Sequence, residues 1–258
     1  MKNGRHILVR YIYIRLNKFL SETGICSRRE ADKFILDNKV TVNGKVTNHP
    51  NTLVASDKDS VKVAGKRVRL QPLTYILLNK PEGVLTTLSD PNQRATVKDL
   101  LRGVKIRVYP VGRLDFNTSG VLLLTNDGEL AARLTHPRYG FTKTYQAKVS
   151  GVPTDTKLRK MGLGVKIPGI KGSYEMTLPA KVKLVRNLKK KSILQIIIKE
   201  GKKHQVKKMC AAIGHPVVKL VRLKFGFLSA RGLMPGKWRY LNKLEQDKLK
   251  ESVGLKIN

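Results

Sequence analysis

The sequence predicts an α+β protein with two modules, a small helical module with a β-hairpin and a larger domain with a mainly antiparallel sheet. Before residue 70, apolar residues recur at helical spacing and are followed by short alternating segments. From Tyr75 onward, strand-like runs outnumber helical ones and their spacing is irregular, which favours an α+β domain. A length of 258 residues suits one large domain with a small appendage.

The composition indicates a polyanionic partner. The chain has 52 Lys and Arg against 18 Asp and Glu, a formal net charge of +34 that is spread along the whole chain. The mutual repulsion of so many positive charges is usually tolerated in proteins that bind nucleic acid. It argues against an enzyme that acts only on small metabolites. Hydrophobic residues make up 41% of the chain, enough for a core, which excludes a disordered basic tail. The two cysteines, Cys26 and Cys210, form no CxxC pair, so a disulfide framework and a zinc site are poorly supported and a reducing compartment fits.

Residues 1–14 are interpreted as a basic N-terminal arm. Arg10 and Arg15 interrupt its apolar stretch and no small-residue cleavage site follows, which argues against a signal peptide. The absence of acids before Glu22 leaves an organelle transit peptide as an alternative, although serines are missing. Because no apolar run approaches the ~20 residues of a membrane helix, we expect a cytoplasmic protein without membrane contact.

The first module contains two helices and a hairpin. The segment RLNKFLSETG (15–24) places Leu16, Phe19 and Leu20 on one helical face, with Gly24 as the residue that ends the helix. In SRRE, Ser27 and Glu30 form a capping box that begins a second helix. The alternating VTVNGKVT predicts a hairpin that turns at Asn-Gly, and SVKVAGK adds another strand.

This module resembles the S4 RNA-binding domain. The match runs over about residues 15–65, carried by RLNKFLSETGICSRREADKFI, and the domain is assigned to residues 15–70. The resemblance implies contact with structured RNA through Lys18, Arg28, Arg29 and Lys33. A merely solvated basic face is the alternative for these residues.

The larger module, residues 71–258, has recognisable element boundaries. YILLNKP predicts a strand that ends at Pro81, and the strand Val121–Thr125 precedes a short helix stopped by Pro137. KTYQAKVSG alternates as a half-exposed strand, and SILQIIIKEG resembles a buried one. A helix over Lys203–Ile213 ends at Gly214, and a last helix is capped by Asn242.

The sequence has few motifs that are typical of catalytic, nucleotide-binding or metal-binding sites. The chain has no GxxxxGK[ST] phosphate loop and no HExxH pair, so nucleotide-driven and metal-dependent reactions are poorly supported. Acids are scarce, which draws attention to Asp115 beside Arg113 in PVGRLDFNTSGVLLL. A carboxylate beside cations is suited to act as a nucleophile, but a turn aspartate that bonds its own backbone is the commoner interpretation from spacing alone.

The block GRLDFNTSGVLLLTNDGEL resembles the signature of the pseudouridine synthases that modify ribosomal RNA. Other blocks follow in the family's order: LNKPEGVLTT before it, then KTY, EGKKHQVKKMCAAIGHPVVKLVR and LMPGKWRYL. The resemblance implies that Asp115 is the catalytic nucleophile, attacking the target nucleotide or aiding glycosidic cleavage. It also implies that Tyr145 stacks on the flipped base and that Lys207 pairs with the aspartate. Many members have Arg at the position of Lys207, which leaves the geometry of that pair less certain.

The same resemblance assigns the surrounding RNA-binding residues. Leu220 packs near the base, Arg222 makes a phosphate or structural contact, Arg113 flanks the aspartate, and Asn79 and Lys80 line the cleft. His204 receives no catalytic role, and neither a metal nor another cofactor is expected.

The function predicted is isomerisation of uridine to pseudouridine in ribosomal RNA, free or in an assembly intermediate, by a monomer. TLSDPNQRATVKDLL and THPRYGFTKTY favour large-subunit RNA, with small-subunit RNA as the alternative. A non-catalytic S4-type ribosome assembly factor is the runner-up, and Asp115, Tyr145 and Lys207 argue against it. A tRNA ligase with an S4 domain lacks its nucleotide-binding signatures here.

Overall fold

The computed structural model describes residues 13–169 and 172–257. The predicted N-terminal arm therefore lies almost entirely outside the described residues. The chain forms two compact units that divide between Leu73 and Thr74. Within the described ranges, no helix combines the length and the apolar character needed to span a lipid bilayer.

The described residues of the first unit, from Tyr13 to Leu73, form two helices and six short strands. They are β1 (Tyr13–Arg15), α1 (Leu16–Glu22), α2 (Arg28–Leu36), β2 (Val40–Val42), β3 (Lys45–Val46), β4 (Leu53–Ala55), β5 (Val61–Val63) and β6 (Lys66–Arg67). β1 pairs with β4, and the other four strands form a sheet in the order β3-β2-β5-β6.

The local signals in this unit act as predicted. The amide of Glu30 donates to Ser27 Oγ at 3.2 Å, and Glu30 Oε2 accepts from the Ser27 amide at 2.6 Å, which satisfies two amides at the start of α2. Asn43 and Gly44 have φ values of 51° and 84°, the left-handed pair that a tight hairpin between β2 and β3 requires. Leu16 and Leu20 are buried in the core of the unit.

The second unit contains one large sheet with helices around it. Its elements are β7 (Tyr75–Lys80), α3 (Val97–Leu100), β8 (Tyr109–Pro110), β9 (Thr118–Thr125), α4 (Gly128–Thr135), a 3₁₀ turn (Pro137–Tyr139), β10 (Lys143–Ser150), α5 (Asp155–Leu163), β11 (Lys166–Pro168), β12 (Tyr174–Met176), β13 (Lys181–Asn187), β14 (Lys191–Ile198), α6 (Gln205–Ala212), β15 (Val217–Phe225), β16 (Leu228–Ser229), β17 (Trp238–Tyr240) and α7 (Lys243–Glu251). β9 begins three residues before the predicted strand, and α6 begins two residues after the predicted helix.

The large sheet is mainly antiparallel, with one parallel pair. Its main path runs β13-β14-β10-β15-β9-β7-β17, and β9 and β15 run parallel. Their register places Leu220 beside Thr118 and Arg222 beside Gly120. Gly120 has φ +109°, and a Cβ there would collide with the backbone carbonyl of Arg222. Glycine is therefore required where the two strands approach.

The central strands are apolar on both faces because two cores cover the sheet. In β7, Ile76 and Leu78 point into one core, while Tyr75 and Leu77 point into the other. This arrangement explains why YILL is apolar without alternation.

The prediction of a buried strand at SILQIIIKEG needs one correction. In β14 only every second residue is buried, whereas Ile193 and Ile197 are half-buried. Its neighbour β10 alternates in the same way from Tyr145 onward, with Tyr145 and Ala147 facing the core. Both strands have one face in the core and one face partly open, and β-branched residues suit such a surface.

Candidate active site

Asp115 lies in the loop that enters β9. The amide of Thr118 donates to the Asp115 carbonyl at 3.0 Å and closes the turn. On the other side, the hydroxyl of Thr86 donates to the Leu114 carbonyl at 2.7 Å. The backbone that carries the carboxylate is therefore held from both directions.

Lys80 holds the same loop from inside. Its side chain is fully buried at the end of β7, and its Nζ donates to the carbonyls of Pro81 at 2.8 Å, Thr118 at 2.9 Å and Asp115 at 3.3 Å. Burial lowers the pKa of Lys80 to about 8, an effect that the nearby Asp115 carboxylate opposes. The prediction that Lys80 binds RNA is not supported by this structure, because the ammonium is covered and engaged by backbone carbonyls. These contacts place Lys80 where it can hold the loop that carries Asp115.

Asn79, the other residue predicted to line the cleft, points elsewhere. Its Nδ2 donates to the Leu233 carbonyl at 2.7 Å, and its amide donates to the carbonyl of Lys237. Asn79 thus ties β7 to the loop before β17 and is not among the residues that line the cavities around Asp115.

The carboxylate of Asp115 faces two basic side chains at the start of α6. Lys207 Nζ lies 3.0 Å from Oδ2, and His204 Nε2 lies 3.5 Å from Oδ1. All three side chains are partly open to solvent. The predicted pairing of Lys207 with the aspartate is present in the geometry, with lysine acting as a single point charge.

His204, which the sequence analysis gave no catalytic role, is a functional candidate in the structure. It caps α6 in the left-handed region, with φ 55°, and stands three residues before Lys207. Residues at this spacing share one side of a helix, which brings both toward Asp115. The sequence already contains the HxxK spacing of these two residues. That spacing indicates a shared contact with Asp115 only when the position of α6 against the aspartate loop is known.

Tyr145 and Leu220 form the apolar wall of the site. They lie on neighbouring strands β10 and β15 and line, with Asp115 and Thr118, a cavity of about 70 Å³. Both side chains are buried, Tyr145 to 8% exposure. Asp115, Tyr145 and Leu220 come from three distant segments and meet here as the resemblance implied.

Arg222 does not reach the surface. Its side chain is 2% exposed, its Nε donates to the Val121 carbonyl at 2.7 Å, and its guanidinium lies 5.0 Å from the centre of the Phe225 ring. Of the two roles predicted for Arg222, a phosphate contact or a structural contact, the contacts seen in this structure are the structural ones.

A larger open cavity of about 610 Å³ adjoins the 70 Å³ cavity beside Asp115. The two share Arg113, Asp115 and His204. Arg113, predicted to bind RNA, is exposed at this opening. Phe116 also lines the opening with 42% of its surface exposed, and the sequence reasoning assigned it no role. An exposed aromatic ring beside a basic residue suits stacking against a nucleic-acid base.

The basic residues predicted in the first unit lie on α1 and α2. Arg28, Arg29 and Lys33 are on α2, and Arg29 and Lys33 are neighbours on one side of that helix. Arg28 and Arg29 are exposed, and so is Lys33. Lys18 is half-buried on α1, with its Nζ 3.7 Å from Glu22. Three of the four predicted contacts are thus open to a phosphate backbone, and the fourth is shared with an acid.

We searched the described residues for side chains that could bind a metal ion. In the described part of the chain, no three His, Cys, Asp or Glu side chains gather where they could hold an ion.

Each of the two units matches a known family model. Residues 74–212 match the RNA pseudouridylate synthase family model, and residues 14–61 match the S4 domain model.

Relatives match over nearly the whole chain. An uncharacterized RNA pseudouridine synthase of Aquifex aeolicus (strain VF5) is 44% identical, covering 94% of this chain and 96% of its own. The ribosomal large subunit pseudouridine synthase B of Bacillus subtilis (strain 168) is also 44% identical, covering 92% of this chain and 95% of its own. A crystal structure of a pseudouridylate synthase superimposes with a TM-score of 0.66 at 29% identity, covering 92% of this chain and 99% of that one.

Proposed function

Because this chain belongs to the RNA pseudouridylate synthase family and carries an S4 domain, we propose that it converts a specific uridine of large-subunit ribosomal RNA to pseudouridine, with Asp115 as nucleophile. The observation that carries the proposal is the Asp115 carboxylate on the wall of a cavity shared with Tyr145 and Leu220, 3.0 Å from Lys207. The S4 domain is assigned to residues 15–70 and the catalytic domain to residues 71–258, and the division between the compact units at Leu73 and Thr74 supports this.

For this reaction the protein has to position the nucleotide, supply a nucleophile and stabilise charge. The bond from N1 of uracil to the ribose breaks, the base rotates, and a bond from C5 to the same ribose carbon forms. A proton leaves C5 and a proton is gained at N1, so no atom or electron is supplied from outside. An oxygen of Asp115 attacks the nucleotide as the bond from N1 to the ribose breaks, and the bond to Asp115 breaks again as the product is released. Lys207 stabilises the charge of the carboxylate. Tyr145 and Leu220 hold the uracil ring and exclude water.

The base must leave its stack before it reaches this cavity. Extrusion costs a few kcal/mol, which protein contacts have to return. Phe116 and Arg113 at the mouth of the cavity are placed to contact the neighbouring nucleotides. The exposed Arg28, Arg29 and Lys33 give the first unit a surface for phosphates, which fixes the position of the RNA without reading its sequence.

Large-subunit RNA is preferred because the Bacillus subtilis relative, which matches 92% of this chain, bears that target in its name. We place the enzyme in the cytoplasm, acting as a monomer on free RNA or on an assembly intermediate. The two cysteines, free and buried in the structure, fit a reducing compartment.

The test is carbodiimide-based mapping of pseudouridine in ribosomal RNA from cells with and without the gene. One stop in large-subunit RNA should disappear on deletion and return with the wild-type gene but not with Asp115→Asn. A lost stop in small-subunit RNA would replace the proposed target. No lost stop, together with no activity of the purified protein on total ribosomal RNA, would overturn the function.

A further inference from the structure

A third cavity, of about 90 Å³, adjoins the 70 Å³ cavity beside Asp115, and the two share Tyr145 and Arg113 in their walls. Two buried basic side chains, Lys143 and Arg222, also line it. Neither has a part in the chemistry proposed for Asp115. The presence of two buried cations on one small cavity therefore needs a separate explanation.

Lys143 begins β10 and is 6% exposed. The only hydrogen bond that the described residues provide to its ammonium is a long one, to the Phe141 carbonyl at 3.4 Å. Burial, aided by the charge of Arg222, lowers the pKa of Lys143 to about 8, while Glu200 has a smaller opposing effect. The Glu200 carboxylate is already engaged by the side chain of Gln205 and the amide of Leu178.

The hydrogen bonding of the Arg222 guanidinium is also incomplete. Its Nε is satisfied by Val121, but its Nη2 is buried without a hydrogen-bond partner among the described residues. An unpaired guanidinium nitrogen in the interior costs free energy that folding must offset. The cost falls when an anion enters and supplies acceptors.

We propose that this cavity binds a phosphate group of the RNA strand that carries the target uridine, paired with Lys143 and Arg222. The inference rests on the proposed function, because it identifies the anion by its closeness to the flipped nucleotide. Tyr145 forms a wall of both cavities, so a base beside Tyr145 brings the phosphates next to it within reach. The pocket thereby fixes the backbone while Asp115 acts on the nucleotide.

The experiment crosses a protein change with a chemical change in the RNA. Wild-type enzyme and Lys143→Gln are assayed on an oligonucleotide that contains the mapped uridine. Variants of this oligonucleotide carry a neutral methylphosphonate at one phosphate at a time around that uridine. Lys143→Gln should raise KM about tenfold on the natural RNA, the value of one charge-assisted hydrogen bond, with a smaller change in kcat. At one methylphosphonate position, this difference from wild type should vanish.

A matched control removes a lysine from the same strand outside the cavity. Lys148→Gln is expected to leave KM unchanged for every oligonucleotide. Lys143→Arg, which keeps the charge, should recover most of the lost affinity. If Lys143→Gln does not fold, wild-type enzyme alone must still show a KM increase confined to one methylphosphonate position.

The outcomes separate the two proposals. Wild-type enzyme that makes no pseudouridine contradicts the function, whereas active enzyme with equal Lys143→Gln effects on every RNA contradicts the phosphate site. Free inorganic phosphate is the other source of the anion. If it shifts the lysine ε-methylene resonance of Lys143 while the crossed experiment shows no coupling, the cavity binds a free ion and the inference about RNA is wrong.

Discussion

Two groups of basic residues, one in each unit, lie in opposite environments. In the first unit, Arg28, Arg29 and Lys33 are exposed, where each cation remains hydrated and attracts phosphate through solvent. In the second unit, Lys80 and Arg222 are enclosed by protein and donate to backbone carbonyls, and Arg222 Nη2 has no hydrogen-bond partner among the described residues. The comparison indicates that exposed cations supply an attraction that salt screens, while enclosed cations hold the backbone around the proposed nucleophile.

Replacing the proposed nucleophile should have the largest effect on activity. Asp115→Asn should reduce pseudouridine formation by more than about 10³-fold and leave RNA affinity within a few fold, because little volume and one partly open charge are lost. Product formation under single-turnover conditions and a binding titration check the two halves. The matched control Asp155→Asn, at the exposed start of α5, should keep full activity. Turnover by the Asp115→Asn variant, without deamidation back to aspartate, would contradict the role of Asp115.

Lys80→Met tests whether a buried cation positions the aspartate. The carbonyls of Pro81, Thr118 and Asp115 would lose their shared donor, which should lower the free energy of unfolding by about 3 kcal/mol. A small displacement of Asp115 should also lower kcat by about 10²-fold with little change in KM. Urea unfolding and steady-state kinetics measure both effects. Lys98→Met, on the exposed side of α3, should change neither, and a rise in KM alone would show that Lys80 binds RNA after all.

Salt dependence tests the exposed cations. Replacing Arg28, Arg29 and Lys33 together by Gln should reduce the slope of log affinity against log salt by about 2, since up to three phosphate contacts are lost. The control replaces the exposed Lys181, Lys183 and Arg186 of β13 by Gln and removes the same charge. An equal loss of slope in both variants would mean that net charge, and not the α2 surface, attracts the RNA.

The buried Lys143 predicts an unusual pH dependence of stability. Its pKa is lowered in the folded protein to about 8 from 10.5, so the charged form destabilises the fold at and below pH 8, and this penalty disappears as pH rises toward 10.5. Without RNA, Lys143→Gln should therefore be more stable than wild type at pH 7, with the advantage shrinking as the pH rises from 8 toward 10.5. Urea unfolding across a pH series from neutral to alkaline measures it. A difference independent of pH would show that the pKa of Lys143 is not lowered in the folded protein.

The smallest effect concerns local structure in the first unit. Ser27→Ala removes the cap of α2 and should cost about 1 kcal/mol of helix stability. Faster amide hydrogen exchange within Arg28–Leu36 would report it, with kcat unchanged. Ser27→Asp keeps an acceptor and should restore protection. Loss of kcat in Ser27→Ala would indicate that the two units are not independent in the way the charge comparison implies.

Local structure and family membership could be predicted from the amino-acid sequence without the fold. The capping box at Ser27, the Asn43-Gly44 turn and the helix end at Gly214 depend on neighbours a few residues apart, so their chemistry is readable from the chain itself. The motif around Asp115 was readable in the same way, as was the assignment of Lys207 to its carboxylate, through resemblance.

Which basic residues face the RNA and which are enclosed depends instead on tertiary packing. Lys80, Lys143 and Arg222 look like any other lysine or arginine in a chain of net charge +34. Their burial depends on strands β7, β10 and β15 meeting around the aspartate loop, contacts made between segments that are far apart in sequence. His204 received no catalytic role from the sequence for the same reason, because its distance to Asp115 is set by the packing of α6 and not by the residues beside it.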